Sequence, residues 1–109
     1  MTAQLLASTA DLAEGEFVTT EVDGTEIIVG KADGRYFAVE DLCPHAYVNI
    51  SYGSLEGCEL TCPWHGYSFD VHSGECLTGL ESEQLTTLPV EERGGGIYLK
   101  QAPDATWPR

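Results

Sequence analysis

Cys43-Pro44-His45 and Cys62-Pro63-Trp64-His65-Gly66 are the two stretches on which the reading of this chain turns. Each sets one thiol close to one imidazole, and 16 residues separate His45 from Cys62. The pattern is C-x-H, a gap, then C-x-x-H, which delivers four metal-binding side chains on two short loops. Pro44 and Pro63 fix φ and remove backbone donors, so both loops are stiffened. Gly66 lets the chain leave the second loop with positive φ, or pass close to whatever the loops hold. A structural zinc site with two Cys and two His is one use of such residues. Zinc sites usually keep like ligands together, as C-x2–4-C and H-x3–5-H, whereas here the two types alternate.

The same residues resemble the signature of Rieske [2Fe–2S] sites, in which two His replace two Cys on one of the irons. Leu55-Glu56-Gly57, Phe69-Asp70 and Ser73-Gly74-Glu75 carry the resemblance over nearly the whole chain. It implies that Cys43, His45, Cys62 and His65 hold one [2Fe–2S] cluster. The two Cys take a buried iron and the two His, through Nδ1, an outer one, leaving Nε2 of each facing outward. It also implies an all-β fold, the Rieske-type antiparallel β-sandwich. A smaller cluster-binding subdomain, about residues 42–79, is inserted between the outer strands. The implied function is one-electron transfer, so the chain is not itself an enzyme.

Local patterning agrees with short strands between turns. A strand over 4–7 is followed by a helical turn over Asp11-Leu12-Ala13, capped by Ser8 or Thr9. Strands over 16–22 and 25–31 flank Asp23-Gly24, a dipeptide preferred in type I′ hairpins. Asp33-Gly34 makes another turn before a strand over 35–40. These strands are rich in Val, Ile, Phe and Tyr, which suit a sheet. Glu56-Gly57 reads as a hairpin turn into 58–61, and Ser73-Gly74 joins 67–71 to 75–77. A strand over 85–91, a turn at Gly94-Gly95-Gly96 and a strand over 97–100 return to the outer sheet. The tail 102–109 reads as irregular.

The chain has 109 residues, the length of a single domain, 1–109. Its 18 acidic and 5 basic residues give a net charge of −13, which argues against nucleic acid and anionic membrane as partners. No apolar run approaches the ~20 residues of a membrane span. The first residues lack the basic start and apolar stretch of a signal peptide. A cytoplasmic electron carrier is the expectation, steered to partners with a basic face. In that compartment Cys58 and Cys76 are expected to be reduced and buried, the alternative being a disulfide between them.

What the chain lacks separates the Rieske subfamilies. The bc-type subunits carry a membrane anchor and an extra Cys in each loop; here those positions hold Val48 and Trp64. Terminal oxygenases add a domain with a second iron site bound by two His and a carboxylate, but only His72 remains. The resemblance therefore narrows to the ferredoxin components of bacterial aromatic-ring-hydroxylating dioxygenase systems, in aromatic hydrocarbon catabolism. The implied partners are an NAD(P)H-dependent flavoprotein reductase and a terminal oxygenase. The alternatives are the small subunit of an assimilatory nitrite reductase and the ferredoxin of a diiron monooxygenase.

The remaining residues divide between site and scaffold. Trp64 is expected to cover the cluster. Tyr47 reads either as a rim residue near His45 or as an aromatic packing its own loop. Ile50, Leu55, Leu60 and Phe69 read as core, and His72 as a solvated turn residue. Glu56, Glu59, Glu75 and Glu81 are candidate docking charges, or simply a solvated face. Thr78-Gly79-Leu80-Glu81 lacks the Pro that relatives often place there. In bc-type relatives a Ser two residues after the second His, and a Tyr four after it, donate to the cluster's sulfurs. Here those positions are Tyr67 and Phe69, which points to a potential near the low end of the Rieske range.

Overall fold

The computed structural model describes residues 4–22, 24–43, 48–63, 66–78 and 84–100. Among the described residues ten strands follow one another: β1 (Gln4–Ser8), β2 (Phe17–Val22), β3 (Thr25–Ala32), β4 (Arg35–Glu40), β5 (Ser54–Glu56), β6 (Glu59–Thr61), β7 (Ser68–Asp70), β8 (Thr87–Leu88), β9 (Val90–Arg93) and β10 (Gly96–Leu99). They form three antiparallel sheets, ordered β1-β10-β9, β2-β3-β4-β8 and β5-β6-β7.

The four-stranded sheet is the middle layer, and the period of 2 along its strands shows why. Ile28, Ala32, Phe37 and Val39 point to one face, where they join Ile50, Leu60, Phe69 and Val71 from the inserted segment. Ile27, Val29 and Ala38 point to the other, where they meet Leu6, Ile97 and Leu99 of the β1-β10-β9 sheet. Consecutive apolar residues on β3 thus serve two cores at once. Two sheets make the sandwich, and the three-stranded sheet of the insert is stacked on the sandwich's outer face.

Turn chemistry held where the backbone demanded it. Asp33 and Gly34 both have positive φ, 55° and 76°, as a type I′ turn requires. The Glu14 carboxylate receives both N–H groups of that turn, from Asp33 at 2.6 Å and Gly34 at 2.9 Å. Those backbone donors, Gly34's first, hold the Glu14 pKa below its ordinary value.

Three expectations needed correction. The helical turn is a 3-10 turn over Thr9–Asp11, earlier than read, because Ser8 Oγ accepts from Ala10 N–H. The segment 67–77 forms the short β7 plus two isolated bridges, Phe69 to Cys76 and Glu75 to Gln84. Asp70 Oδ1 takes the N–H groups of His72 and Ser73 and turns the chain early. The strand expected over 85–91 is divided at Pro89, with β8 pairing to β4 and β9 to β10. Proline has no N–H for a ladder, so it suits the point where the chain changes sheets.

Candidate metal centre

Two loops of the insert are closed by the same bond. Cys43 N–H donates to the Val48 carbonyl at 2.8 Å, and Cys62 N–H to the Tyr67 carbonyl at 2.7 Å. Each bond spans the same number of residues and begins at a cysteine. Both cysteines are sealed from solvent, at 0% and 1% exposure, and they share one apolar cluster with Ile50, Leu60, Phe69 and Val71. By sequence position His45 lies within the first closed loop and His65 within the second. Both His, with Pro44, Tyr47 and Trp64, fall outside the described residues.

Each loop is also fastened by side chains just outside its closing bond. At the first, the buried Asp41 carboxylate accepts from Asn49 Nδ2 at 3.0 Å, Ser51 N–H at 2.8 Å and Ser51 Oγ at 2.7 Å. Asn49 Nδ2 donates at 2.7 Å to Glu26 Oε1 as well, and Asp41 N–H to the Glu26 carbonyl at 2.9 Å, which ties this clasp to β3. At the second loop, the hydroxyls of Thr61 and Ser68 bond to each other at 2.9 Å, one residue outside Cys62 and Tyr67. Ser68 N–H donates to Thr78 Oγ1 at 2.9 Å. Gly53 packs directly on the residue before the second loop, since a Cβ there would stand 1.7 Å from the Thr61 carbonyl oxygen.

The donor set suits an iron–sulfur cluster. Two soft sulfur donors belong to one buried apolar cluster, where an unpaired thiolate would be costly and a metal-bound one is not. Two imidazoles are supplied by the same two loops in the sequence. All four cysteines are free, and Cys76 Sγ donates to the Thr78 carbonyl at 2.9 Å, so the Cys58–Cys76 bridge is not formed. Burial, then the Asp33 and Asp70 carboxylates, push the Cys58 thiol pKa up. That keeps it a neutral thiol.

A family model for the Rieske [2Fe–2S] domain matches residues 2–89. The chain belongs to the Rieske family. Rieske membership brings with it an iron–sulfur cluster and closes the zinc alternative, which spacing alone left open. The ferredoxin component of the naphthalene 1,2-dioxygenase/salicylate 5-hydroxylase systems of Ralstonia sp. is 36% identical over 90 residues, covering 83% of this chain and 86% of that protein. The ferredoxin of carbazole 1,9a-dioxygenase from Nocardioides aromaticivorans IC177 superposes with a TM-score of 0.84 at 26% identity, over 95% of this chain and 100% of that one. A chain from the complex of reduced oxygenase and oxidized ferredoxin in carbazole 1,9a-dioxygenase superposes with a TM-score of 0.81 at 26% identity, over 89% of this chain and 91% of that one.

The three-stranded sheet next to the loops is built in rows. Leu55, Leu60, Phe69 and Cys76 pair across its middle. Ser54, Thr61 and Ser68 pair across the end beside the loops, where Leu77 N–H joins the Ser68 carbonyl. Glu56, Glu59 and Asp70 pair across the opposite end, where Asp70 N–H joins the Glu75 carbonyl. Glu56, Glu59 and Glu75 are exposed, as a docking role needs, but they stand on the row away from the loops. Glu81 and the rest of 79–83 lie outside the described residues.

Sequence reading missed two features. His72 is half-buried: its Nε2 bonds the Ala32 carbonyl at 2.9 Å and its ring meets Phe37 edge-on, 6.1 Å between centroids. It fastens the insert to the end of β3. The Asp41 clasp was missed as well; its only trace in the sequence is an acid two residues before Cys43.

Proposed function

We propose that the chain is a one-electron carrier with one [2Fe–2S] cluster, bound by Cys43, His45, Cys62 and His65. It takes electrons singly from an NAD(P)H-dependent flavoprotein reductase and passes them to a terminal aromatic-ring-hydroxylating oxygenase. The pair of matched loops, each closed by a cysteine N–H, is the observation that carries this reading. Similarity to ferredoxin components of dioxygenase systems supports the partners. The whole chain, 1–109, acts as one domain in the cytoplasm, with 42–79 as its cluster-binding subdomain.

The cluster, when bound, supplies a one-electron couple with no substrate chemistry of its own. The chain's residues do the rest. Cys43 and Cys62 hold their sulfurs in the apolar interior, and Ile50, Leu60 and Phe69 keep water from them. The backbone bonds and clasps fix the loops, so the ligands need little rearrangement as charge changes. His45 and His65 supply the nitrogen ligands on the side that partners reach.

The test is anaerobic titration of the purified holoprotein with its reductase and NAD(P)H, followed by mixing with the oxygenase. One electron per chain should enter and leave, and two irons should be found per chain. Changing Cys43, His45, Cys62 or His65 to Ala should abolish the visible spectrum, because ligation and folding are linked. Retention of the spectrum in any of these four variants would remove that residue from the ligand set.

A further inference from the structure

Among the described residues three large apolar side chains are exposed: Leu5, Tyr52 and Leu77. Two of them flank the second loop. Tyr52, 80% exposed, precedes Gly53, the residue that packs on Thr61 where that loop begins. Leu77, 44% exposed, is bonded through its N–H to Ser68, where the loop ends. Among the described residues, the rim between them carries the hydroxyls of Ser54 and Thr61. Single exposed apolar residues are ordinary, but a pair bracketing the centre of a redox protein is not explained by chance exposure.

Among the described residues, the acids of the small sheet are set back from this rim. From Arg35 to Arg93 the sequence has no Lys or Arg between them. The acids of the sheet form the far row of Glu56, Glu59, Asp70 and Glu75, two residues from the rim, a distance of ~7 Å. That lies within the Debye length of ~10 Å at 0.1 M salt and outside that of ~3 Å at 1 M. The acidic row can therefore attract a basic surface from a distance without entering the contact.

We propose that Tyr52 and Leu77 are the apolar contact through which the chain docks on its terminal oxygenase, and that the acidic row steers the approach from outside that contact. The partner surface is an apolar recess bordered by Lys or Arg. Docking there sets the oxygenase against the loop that carries Cys62 and His65. One electron then leaves the reduced chain, and the oxygenase is reduced by one electron. This inference rests on the electron-carrier reading above. Tyr52 is the main anchor, since Tyr is enriched among residues that dominate interface energetics and Leu is not.

Stopped-flow oxidation of the reduced holoprotein by a terminal ring-hydroxylating oxygenase that it reduces tests this, from about 0.05 to about 1 M salt. Tyr52→Ala should raise the half-saturating oxygenase concentration about tenfold at every salt, and Leu77→Ala a few-fold. Tyr52→Phe keeps the ring and should stay close to wild type. Leu5→Ala, on β1, should change nothing. Glu56→Gln with Glu59→Gln should slow association at low salt only. If Tyr52→Ala and Leu77→Ala match a competent wild type, the docking inference falls and the carrier function stands. If Tyr52→Ala impairs only reduction by the reductase, the occupant is wrong and the inference falls. If wild type itself passes no electron to the oxygenase, the functional reading falls and takes the docking surface with it.

Discussion

Asp41→Ala removes the acceptor at the centre of the first clasp. Three donors lose their partner: Asn49 Nδ2, Ser51 N–H and Ser51 Oγ. A hydrogen bond to a charged group contributes ~1.5–3 kcal/mol. The three do not sum, because Asn49 keeps Glu26 and the Ser51 hydroxyl can turn to water. The backbone N–H of Ser51 has no such recourse, so the net loss is about 2–3 kcal/mol. At ~1.4 kcal/mol per tenfold, the first loop should open about 30- to 150-fold more often. Opening exposes a ligand cysteine, so the rate at which a chelator bleaches the visible spectrum reads it directly, with far-UV circular dichroism as a check on the fold. Thr61→Val removes a neutral hydroxyl pair at the second loop. That costs ~0.5–1.5 kcal/mol and should speed bleaching no more than about tenfold. Asp41→Asn should fall between wild type and Asp41→Ala, because its amide nitrogen faces that of Asn49. Bleaching of Asp41→Ala within threefold of wild type, or slower than that of Thr61→Val, would refute the assignment of the clasp as the main fastening.

Three further outcomes follow. His72→Ala should leave the visible spectrum and the potential unchanged. It should lower stability by about 1–2 kcal/mol in urea unfolding, since it loses the bond to Ala32 and the contact with Phe37. Glu14 has a folded pKa below its ordinary value, so its contribution is fully present above the ordinary carboxylate pKa and is lost as pH falls through the folded one. Urea midpoints between neutral and acid pH should show a shallower acid loss for Glu14→Gln than for wild type, and equal slopes would overturn the capping role. Phe69 has no hydroxyl to offer a ligand cysteine and is fully buried among apolar side chains. Protein-film voltammetry should therefore give a potential near the low end of the Rieske range, roughly −150 mV, and a value well above zero would defeat the argument from the absent hydroxyl at Phe69.

Features that depend on neighbouring residues were legible in the sequence. The Asp33-Gly34 turn needed positive φ twice and said so. Cys43 and Cys62 stand out in the sequence by spacing, and the structure buries both and closes a loop on the N–H of each. Features that depend on distant partners were not legible. Asp41 looks like any surface acid until Asn49 and Ser51 return to it from beyond the loop. His72 looks solvated until the end of β3 supplies a carbonyl 40 residues away in sequence. The division at Pro89 depends on which sheet has a free edge, a tertiary fact no local pattern carries. The same holds for the rows of the small sheet. Glu56, Glu59 and Glu75 could be read as exposed, but their distance from the loops is fixed only by strand register.

Pulsed EPR on the dithionite-reduced holoprotein, with 15N-labelled histidine, tests the central claim most directly. The account predicts a [2Fe–2S] signal coupled to two directly bound histidine nitrogens. Each of His45→Ala and His65→Ala should abolish it, while His72→Ala keeps it intact. A signal without histidine nitrogen coupling, or one that survives loss of either His45 or His65, would contradict the two-Cys, two-His centre on which the function rests.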